Sequence, residues 1–346
     1  MADYDDEKLR KSSPIRQSRS PKRILIKEKG KPPKGAMNGR VTGALGKFYL
    51  VEYEESGNKK LIECFAGGTI ISPHKKSSLV AVADNVKFIK ENIIDSETGL
   101  ETGFIVQVEE RQTILSRKAP GKGLSEHVIA SNIDKLMIIM SVINPVYNKK
   151  LIDRYLISAE AGEVRPAICI NKTDLADLRI IEEDLQVYKE LGAEVFFISA
   201  LENRGIDEIR NYLKDDVTLI SGPSGVGKST LVNLILGEEI QAVQDISERT
   251  GKGIHTTSFV KLFSLPSGGE IIDSPGIREF GIFGIEPEDI PLYFHDFDKY
   301  FPECKFTACT HTHEPGCAVK QAVEEGKIDP ERYESYLNLY FSLSEE

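Results

Sequence analysis

One stretch of the chain has the residue types needed to hold a polyphosphate. Residues 222–229 read Gly-Pro-Ser-Gly-Val-Gly-Lys-Ser, which fits the pattern G-x-x-x-x-G-K-[ST] between a predicted strand and a predicted helix. The glycines allow successive backbone N–H groups to face phosphate oxygens, and the helix adds its positive end. Lys228 is expected to reach the β- and γ-phosphates, and Ser229 to bind Mg²⁺. The predicted contacts are Gly222, Pro223, Ser224, Gly225, Val226, Gly227, Lys228, Ser229 and Thr230.

A second motif has the chemistry of a guanine reader. A carboxylate at Asp174 can accept hydrogen bonds from both the ring N–H and the exocyclic amine of guanine, a pair that adenine does not offer, so GTP is favoured over ATP. Lys172 is expected to lay its stem over the base, Asn171 to tie the loops together, and the Ala200 N–H to face the guanine oxygen. N-K-x-D alone is also common at ordinary strand-to-helix turns. The predicted base-pocket residues are Asn171, Lys172, Thr173, Asp174, Ser199 and Ala200.

These two motifs occur in the reverse of the usual order, because the base reader precedes the phosphate loop. Ordinary GTP-binding domains run from phosphate loop to base reader. The inversion predicts a circularly permuted GTPase domain, whose original termini are joined and whose chain opens elsewhere.

The remaining catalytic parts are predicted after the phosphate loop. Asp273 begins the sequence Asp-Ser-Pro-Gly and is expected to hold Mg²⁺ through water, while the Gly276 N–H senses the γ-phosphate. A segment around Gly251–Thr257 has the composition of a mobile switch. Thr257 is predicted to be the second Mg²⁺ ligand, with Thr256 as the alternative.

The residue after Gly276 is Ile277, at the position where familiar GTPases carry a water-orienting glutamine. Isoleucine cannot orient water, so unassisted turnover is expected to be slow. His255 in the switch is the nearest side chain that could accept or orient a water proton near neutral pH. The alternative for His255 is a surface or phosphate-contacting residue. The predicted catalytic residues are His255, Lys228 and Gly276.

Three cysteines and two histidines crowd into residues 304–317. Cys304, Cys309 and Cys317 with one imidazole form the soft, four-ligand set of a closed structural zinc site. Spacing alone leaves His311 and His313 both open as the fourth ligand. Reduced cysteines in a small core are the alternative to a metal site. Cys64 and Cys169 fall in apolar strands and are expected to be core residues.

The chain has 346 residues, enough for two or three domains, and a formal net charge of -10, which gives no overall attraction to nucleic acid or anionic membranes. Residues 8–34 are an exception, with eleven Lys or Arg against one acid, Glu28. This arm is predicted to be disordered; it is either a solvated tail or an RNA contact. The acidic start, the short apolar runs and the clustered cysteines predict a cytoplasmic protein without a membrane segment.

The pattern of apolar residues changes twice along the chain. Short alternating runs predict strands at 47–53, 61–65, 79–83, 86–89 and 103–109, and hence an OB-like β-barrel. Strands then alternate with helices, as in a parallel sheet covered on both faces. The prediction is a multidomain α/β protein: a disordered basic arm (1–35), the OB-like barrel (36–118), a circularly permuted P-loop GTPase domain (119–285) and a C-terminal zinc-binding, mostly helical domain (286–346).

With this order of motifs, the barrel in front and the Cys-Cys-His-Cys group behind, the chain resembles the RsgA or YjeQ family of ribosome-small-subunit-dependent GTPases over about residues 37–340. The resemblance implies a late checkpoint factor that binds the small ribosomal subunit near its decoding region, hydrolyses GTP faster there, and leaves with the product. It also implies zinc on Cys304, Cys309, His311 and Cys317, and a catalytic role for His255. The protein is predicted to be a monomer. The chain departs from the family in its long basic arm and in Ala83, where family barrels often have glycine.

The leading hypothesis is therefore a Mg²⁺-dependent GTPase that binds the small ribosomal subunit and its rRNA and acts in late maturation of that subunit. One alternative is an RNA-binding assembly module that uses GTP mainly as a structural or switch ligand, suggested by the missing glutamine. A second alternative is an ATP-using P-loop enzyme. The short connection between Asp273 and Cys304 further suggests that nucleotide state sets the orientation of the zinc module.

Overall fold

The computed structural model describes residues 32–45, 48–66, 78–96, 98–118, 126–237, 260–274 and 282–345. Its first five strands are β1 (Met37–Leu45), β2 (Phe48–Glu55), β3 (Asn58–Ala66), β4 (Asn85–Ile94) and β5 (Glu101–Val108). They are ordered β1-β2-β3-β5-β4, and β4 pairs back onto β1 to close a barrel. Only β3 and β5 pair in parallel among these strands. The predicted OB-like barrel is confirmed.

Two details of the predicted barrel are wrong. Residues 79–83 do not form a strand, although Val82 makes one parallel bridge to Ala130. The chain turns at Ala83, which adopts a left-handed φ of +67° while its N–H donates to the Val41 carbonyl at 2.8 Å. The first strand, β1, was not predicted, because its two glycines and one asparagine mask the alternation that buries Val41.

A hairpin of β6 (Ile114–Lys118) and β7 (Glu126–Ser131) follows the barrel. In the connection before this hairpin, the buried Arg111 guanidinium donates to both carboxylate oxygens of Asp84 at 2.7 and 2.8 Å. Ser131 of β7 donates to the same carboxylate at 2.6 Å. The hairpin spans residue 118, where a domain boundary was expected, and that boundary stays a prediction.

The next region contains the predicted α/β pattern. Its strands are β8 (Lys135–Ser141), β9 (Arg165–Asn171), β10 (Glu194–Phe197), β11 (Val217–Ser221), β12 (Val260–Ser264) and β13 (Glu270–Asp273). Its helices are α1 (Lys149–Ala161), α2 (Leu178–Asp184), α3 (Gln186–Glu190), α4 (Ile206–Leu213) and α5 (Lys228–Leu236). The strand order is β10-β9-β8-β11-β13-β12, and among these six strands only β12 runs antiparallel to its neighbour.

This sheet is buried on both faces. Every residue of β8 is buried, and its side chains alternate between two cores, since successive strand residues point to opposite faces. Leu136, Ile138 and Met140 pack with α1, α2 and α3, whereas Met137 and Ile139 pack with α4 and α5. The carboxyl ends of the parallel strands therefore meet at one edge, where such sheets bind ligands.

The C-terminal region is mostly helical. It has 3₁₀ turns at Pro287–Tyr293 and Asp298–Glu303, followed by α6 (Ala318–Glu324) and α7 (Pro330–Ser344). Asp329 caps α7, and its side chain accepts a hydrogen bond from the Glu331 N–H at 2.7 Å. Tyr336 of α7 is fully buried against Phe294 and Phe297, so this helix packs an aromatic side chain into the core of its own region.

Among the contacts that join the three regions, a buried ion-pair cluster and a strand pairing stand out. Arg332 of α7 is buried between Asp153 of α1 and Asp296, the latter accepting from its guanidinium at 2.9 Å. On the opposite side, β1 of the barrel pairs antiparallel with β12, so barrel and α/β strands form one continuous sheet of eleven strands. Within the described ranges, none of the helices has the length and apolar character needed to cross a bilayer.

Candidate functional site

The phosphate loop lies between β11 and α5, at the carboxyl edge of the sheet. Gly222 has a φ of +153°, and a Cβ there would lie 2.1 Å from the Ile139 carbonyl oxygen. Gly227 has a φ of +96°, and a Cβ there would lie 2.3 Å from Asn171 Nδ2. Both positions exclude any side chain, because the loop must press against β8 on one side and the base reader on the other.

The start of α5 is free to meet an anion. Its N-cap is Gly227, which has no side chain to cap the helix, so among the described residues no capping side chain occupies the first N–H groups. Ser229 and Thr230 in the first turn are exposed, and Val226 is buried in the core beneath. This is the arrangement expected of a loop that wraps phosphate groups.

Lys228 and Asp273 supply opposite charges at this edge. The Lys228 ammonium donates to the carbonyl oxygens of Gly222 and Pro223 at 2.8 and 2.9 Å. Burial lowers the pKa of Lys228, opposed by the Asp273 carboxylate, and burial raises the pKa of Asp273, opposed by Lys228. Each charge favours the ionised form of the other, as at a site that binds both anionic phosphates and a cation.

Asn171 joins the base reader to the phosphate loop. Its amide Nδ2 donates to the Val226 carbonyl at 2.8 Å, while its Oδ1 accepts from the N–H groups of Lys172 and Ala200 at 2.8 and 3.0 Å. One side chain thus connects the ends of β9 and β10 with the loop after β11. The Ala200 N–H, expected to face the guanine oxygen, lies at this junction.

Lys172 makes contacts that the sequence did not reveal. Its ammonium donates to the carbonyls of Ile143, Asn144 and Gly225 at 3.0, 2.7 and 2.7 Å. Ile143 and Asn144 belong to the segment between β8 and α1, which was not among the predicted site residues. The one sequence feature that could have indicated this segment is its position directly after a buried strand of the parallel sheet.

Asp174 presents an acceptor without a partner. Its Oδ1 is buried and makes no hydrogen bond with any part of the chain that the structure describes. The preceding Thr173 is fixed by donating from both its N–H and its Oγ1 to the Ile198 carbonyl, at 3.1 and 2.9 Å. Ser199 is buried and exchanges backbone hydrogen bonds with Arg204. A buried carboxylate oxygen without a donor is the feature that a guanine N–H would satisfy.

The structure therefore brings together the predicted residues of the base reader, the phosphate loop and Asp273. The predicted His255, Thr257 and its alternative Thr256, and Gly276 lie outside the described residues, as does most of the basic arm. The assignment of individual residues to GTP, Mg²⁺ and catalysis stays a prediction.

A second site lies in the C-terminal region. The ligand atoms of Cys304, Cys309, His311 and Cys317 all lie within 4.8 Å of one another. His311 Nδ1 is 3.6 Å from Cys304 Sγ and 3.4 Å from Cys317 Sγ. In a tetrahedral zinc site with Zn–S of about 2.3 Å and Zn–N of about 2.0 Å, neighbouring N and S ligands are about 3.5 Å apart. The four residues therefore fit zinc, and His311 rather than His313 belongs to the set.

Aromatic side chains hold this loop in place. His311 adopts a left-handed φ of +59°, and its ring stacks on Phe301 with centroids 5.0 Å apart. Tyr333 of α7 donates to the His311 carbonyl at 2.7 Å, and Tyr336 donates to the carbonyl of Thr310. His313 instead is exposed and contacts the Thr312 hydroxyl.

Comparison with known proteins decides the family. The RsgA GTPase family model matches residues 108–283. The small ribosomal subunit biogenesis GTPase RsgA of Chlorobaculum parvum is 44% identical over 313 residues, covering 89% of this chain and 99% of that protein. The chain belongs to the RsgA GTPase family. The relative of the same name from Chlorobaculum tepidum is 45% identical, with 90% and 100% coverage.

Solved structures agree with this family assignment. The crystal structure of YjeQ from Thermotoga maritima matches with a TM-score of 0.66 and 31% identity, covering 90% of this chain and 99% of that one. YloQ, described as a circularly permuted GTPase, matches with a TM-score of 0.64 and 28% identity, with 90% and 96% coverage. As an RsgA-family protein, the chain is a GTP hydrolase with a circularly permuted GTPase domain, and the permutation predicted from the order of motifs is confirmed.

Proposed function

We propose that this GTPase acts in the late maturation of the small ribosomal subunit, and that binding to the subunit and its rRNA stimulates hydrolysis of GTP to GDP and phosphate. The relatives' name, small ribosomal subunit biogenesis GTPase, supports the process. GTP specificity is proposed from the buried Asp174 Oδ1, which has no hydrogen-bond donor among the described residues. Hydrogen bonds from Asn171 and Lys172 to Val226 and Gly225 hold this base reader beside the phosphate loop.

In the proposed mechanism, the N–H groups at the start of α5 bind the phosphates, and Lys228 moves from its carbonyl partners to the β- and γ-phosphate oxygens. Ser229, Thr257 and Asp273 would hold Mg²⁺, which neutralises charge on the phosphate oxygens when bound. Gly276 would sense the γ-phosphate through its N–H, and His255 would orient the attacking water. Because Ile277 replaces the usual glutamine, the subunit is expected to complete this alignment.

The Cys304, Cys309, His311 and Cys317 group is proposed to bind one structural zinc ion. Support comes from the closeness of the four ligand atoms and from the tyrosines that fix the loop. We propose further that the protein works as a cytoplasmic monomer.

The test is multiple-turnover phosphate release with and without purified small subunits. The expected result is stimulated release that is lost in His255→Ala and in Lys228→Ala. Absence of stimulation, together with an unchanged rate in His255→Ala, would favour the alternative of an RNA-binding module that uses GTP mainly as a structural or switch ligand.

Base specificity is tested by competition of ATP and GTP against a labelled guanine nucleotide. Asp174→Asn replaces one acceptor by a donor, so we expect GTP affinity to fall about 100-fold, equivalent to about 2.7 kcal/mol, with little effect on ATP. Equal losses of affinity for GTP and ATP would show that Asp174 does not contact the guanine base.

A further inference from the structure

Three phenylalanines form a row across neighbouring strands of the barrel. Phe48 of β2 pairs directly with Phe65 of β3, which pairs with Phe104 of β5. Ring centroids are 6.3 Å apart in both pairs. Phe104 is 40% exposed, and the other two rings are partly exposed. We call these three residues the phenylalanine row.

The row lies on the outside of the barrel. The barrel core contains the strand neighbours Cys64 and Ile105, which point the other way, and it contains none of the three phenylalanines. Aromatic pairs across strands stabilise a sheet. Such pairing does not require that the rings stay exposed, yet these three rings leave apolar surface in contact with water, as ligand-binding surfaces do.

The row lies on strands that bind ligands in proteins of this fold. The strand order β1-β2-β3-β5-β4 with β4 returning to β1 is that of an OB fold, which binds oligonucleotides on the face of its second and third strands. Phe48 and Phe65 lie on those two strands, and aromatic rings on this face are the groups on which unpaired bases stack. Double-stranded RNA keeps its bases stacked internally and offers no free base face.

We infer that the phenylalanine row binds unpaired bases of single-stranded RNA by stacking. The inference rests on the proposed function and specifies which kind of RNA the barrel contacts. The row also borders the GTPase sheet: Phe48 pairs with Leu45 at the end of β1, and the adjacent Ala44 pairs with Val260 of β12. Bound RNA would therefore lie beside the strand that continues towards Asp273 through β13.

The chain contains no tryptophan, so a single one reports directly on the row. In Phe104→Trp we expect fluorescence quenching when a single-stranded RNA of about 12 nucleotides, within the range that OB folds occupy, is added. The matched control is Phe341→Trp, another exposed aromatic position, on α7 in the C-terminal region. The same RNA as a duplex should leave both signals unchanged. No quenching in Phe104→Trp, or equal quenching in both proteins, would overturn the inference.

Affinity for the same RNA separates stacking from general apolar contact. Phe104→Ala should bind about 5- to 100-fold more weakly, whereas Phe104→Tyr, which keeps an aromatic ring, should stay within about twofold of wild type. Phe104→Leu should resemble Phe104→Ala. If Phe104→Leu binds as wild type does, the row is an apolar docking surface for protein and the inference is wrong.

Failure of this inference differs from failure of the proposed function. Small subunits that stimulate wild-type GTP hydrolysis, with no loss of RNA affinity in Phe104→Ala, would refute the phenylalanine row alone. RNA-dependent quenching in Phe104→Trp, without stimulation of the wild-type protein by subunits, would refute the proposed function and leave RNA binding by the row standing.

Discussion

At the scale of single residues, the site depends on Asn171. Its amide group makes three hydrogen bonds that link the phosphate loop, the base reader and the loop after β10. Gly227 lies against this amide. Position 227 requires glycine for two reasons, the positive φ and the close approach of Asn171. A side chain at position 227 would displace the Asn171 amide, which links the phosphate loop to the base reader.

Two glycine variants separate backbone strain from this contact. Gly225→Ala faces only ordinary contacts at 3.5 and 3.6 Å, so it should lose about 5- to 30-fold in GTP affinity through strain of about 1–2 kcal/mol. Gly227→Ala has a similar φ but meets Asn171 Nδ2, and we expect a further loss of about tenfold or more. Titration with a fluorescent GTP analogue measures both. Equal losses would show that the Asn171 contact contributes nothing.

At the scale of elements, buried polar groups connect the barrel and the hairpin. Asp84 is fully buried and accepts from the Arg111 guanidinium, the Ser131 hydroxyl and the Ala81 N–H. The carboxylate that follows the unusual turn at Ala83 therefore fixes that turn against β7. The role of Asp84 is structural, because a fully buried side chain cannot contact RNA.

We expect Asp84→Asn to lower the free energy of unfolding by about 3–5 kcal/mol, because it leaves the buried Arg111 without its counter-charge. The matched control is Glu109→Gln, which removes a half-exposed partner of Lys87 at 3.7 Å and should cost less than about 0.5 kcal/mol. Urea unfolding measures both. A loss in Asp84→Asn no larger than in the control would contradict the buried-pair assignment.

His295 makes a second link between elements, and this one depends on pH. Its Nε2 lies 3.0 Å from a Glu160 oxygen at the end of α1, and its Nδ1 lies 3.1 Å from Asp298. Burial acts to lower the pKa of His295, but the Glu160 and Asp298 carboxylates outweigh it and raise the pKa. Burial raises the pKa of Glu160, opposed by His295.

Because the folded pKa of His295 is raised, its contribution to stability is complete below the unfolded pKa of about 6.5 and is lost as pH rises through the folded value. Wild type should therefore melt at a higher temperature than His295→Gln at about pH 6, and the difference should shrink towards pH 8. Melting curves at constant zinc concentration measure this difference. A difference that grows with pH would have the wrong sign for this ion pair.

At the scale of the whole molecule, local motifs could be predicted and long-range pairings could not. The phosphate loop, base reader and cysteine cluster are each contiguous, so residue type and spacing carry their chemistry. The choice of His311 over His313 came from family resemblance and is supported by the geometry. Nothing local indicates that β1 pairs with β12, or that Arg332 meets Asp153, because each contact joins segments far apart in sequence. The left-handed turn at Ala83 escaped prediction because alanine rarely adopts it.

The pairing of β1 with β12 gives the barrel a direct connection to the catalytic edge. At one end of this connection Gly43 pairs with Lys261, and the Arg40 guanidinium contacts the Glu270 carboxylate at 2.5 Å, where β13 begins. β13 then ends at Asp273, beside Lys228. We therefore predict that a displacement of the barrel on binding reaches the predicted Mg²⁺ ligand Asp273 through these two adjacent strands.

Breaking the Arg40–Glu270 pair should weaken this transmission without touching the nucleotide. We expect Arg40→Gln to leave basal GTP hydrolysis unchanged and to lower subunit-stimulated hydrolysis by about fivefold, the rate equivalent of about 1 kcal/mol. The charge-exchanged double variant, Arg40→Glu with Glu270→Arg, should recover most of the stimulation. Lys60→Gln removes a different barrel ion pair, with Glu55, and should have no effect. If Arg40→Gln and Lys60→Gln are stimulated equally, the two strands carry no coupling, and RNA bound to the barrel must act on hydrolysis by another route.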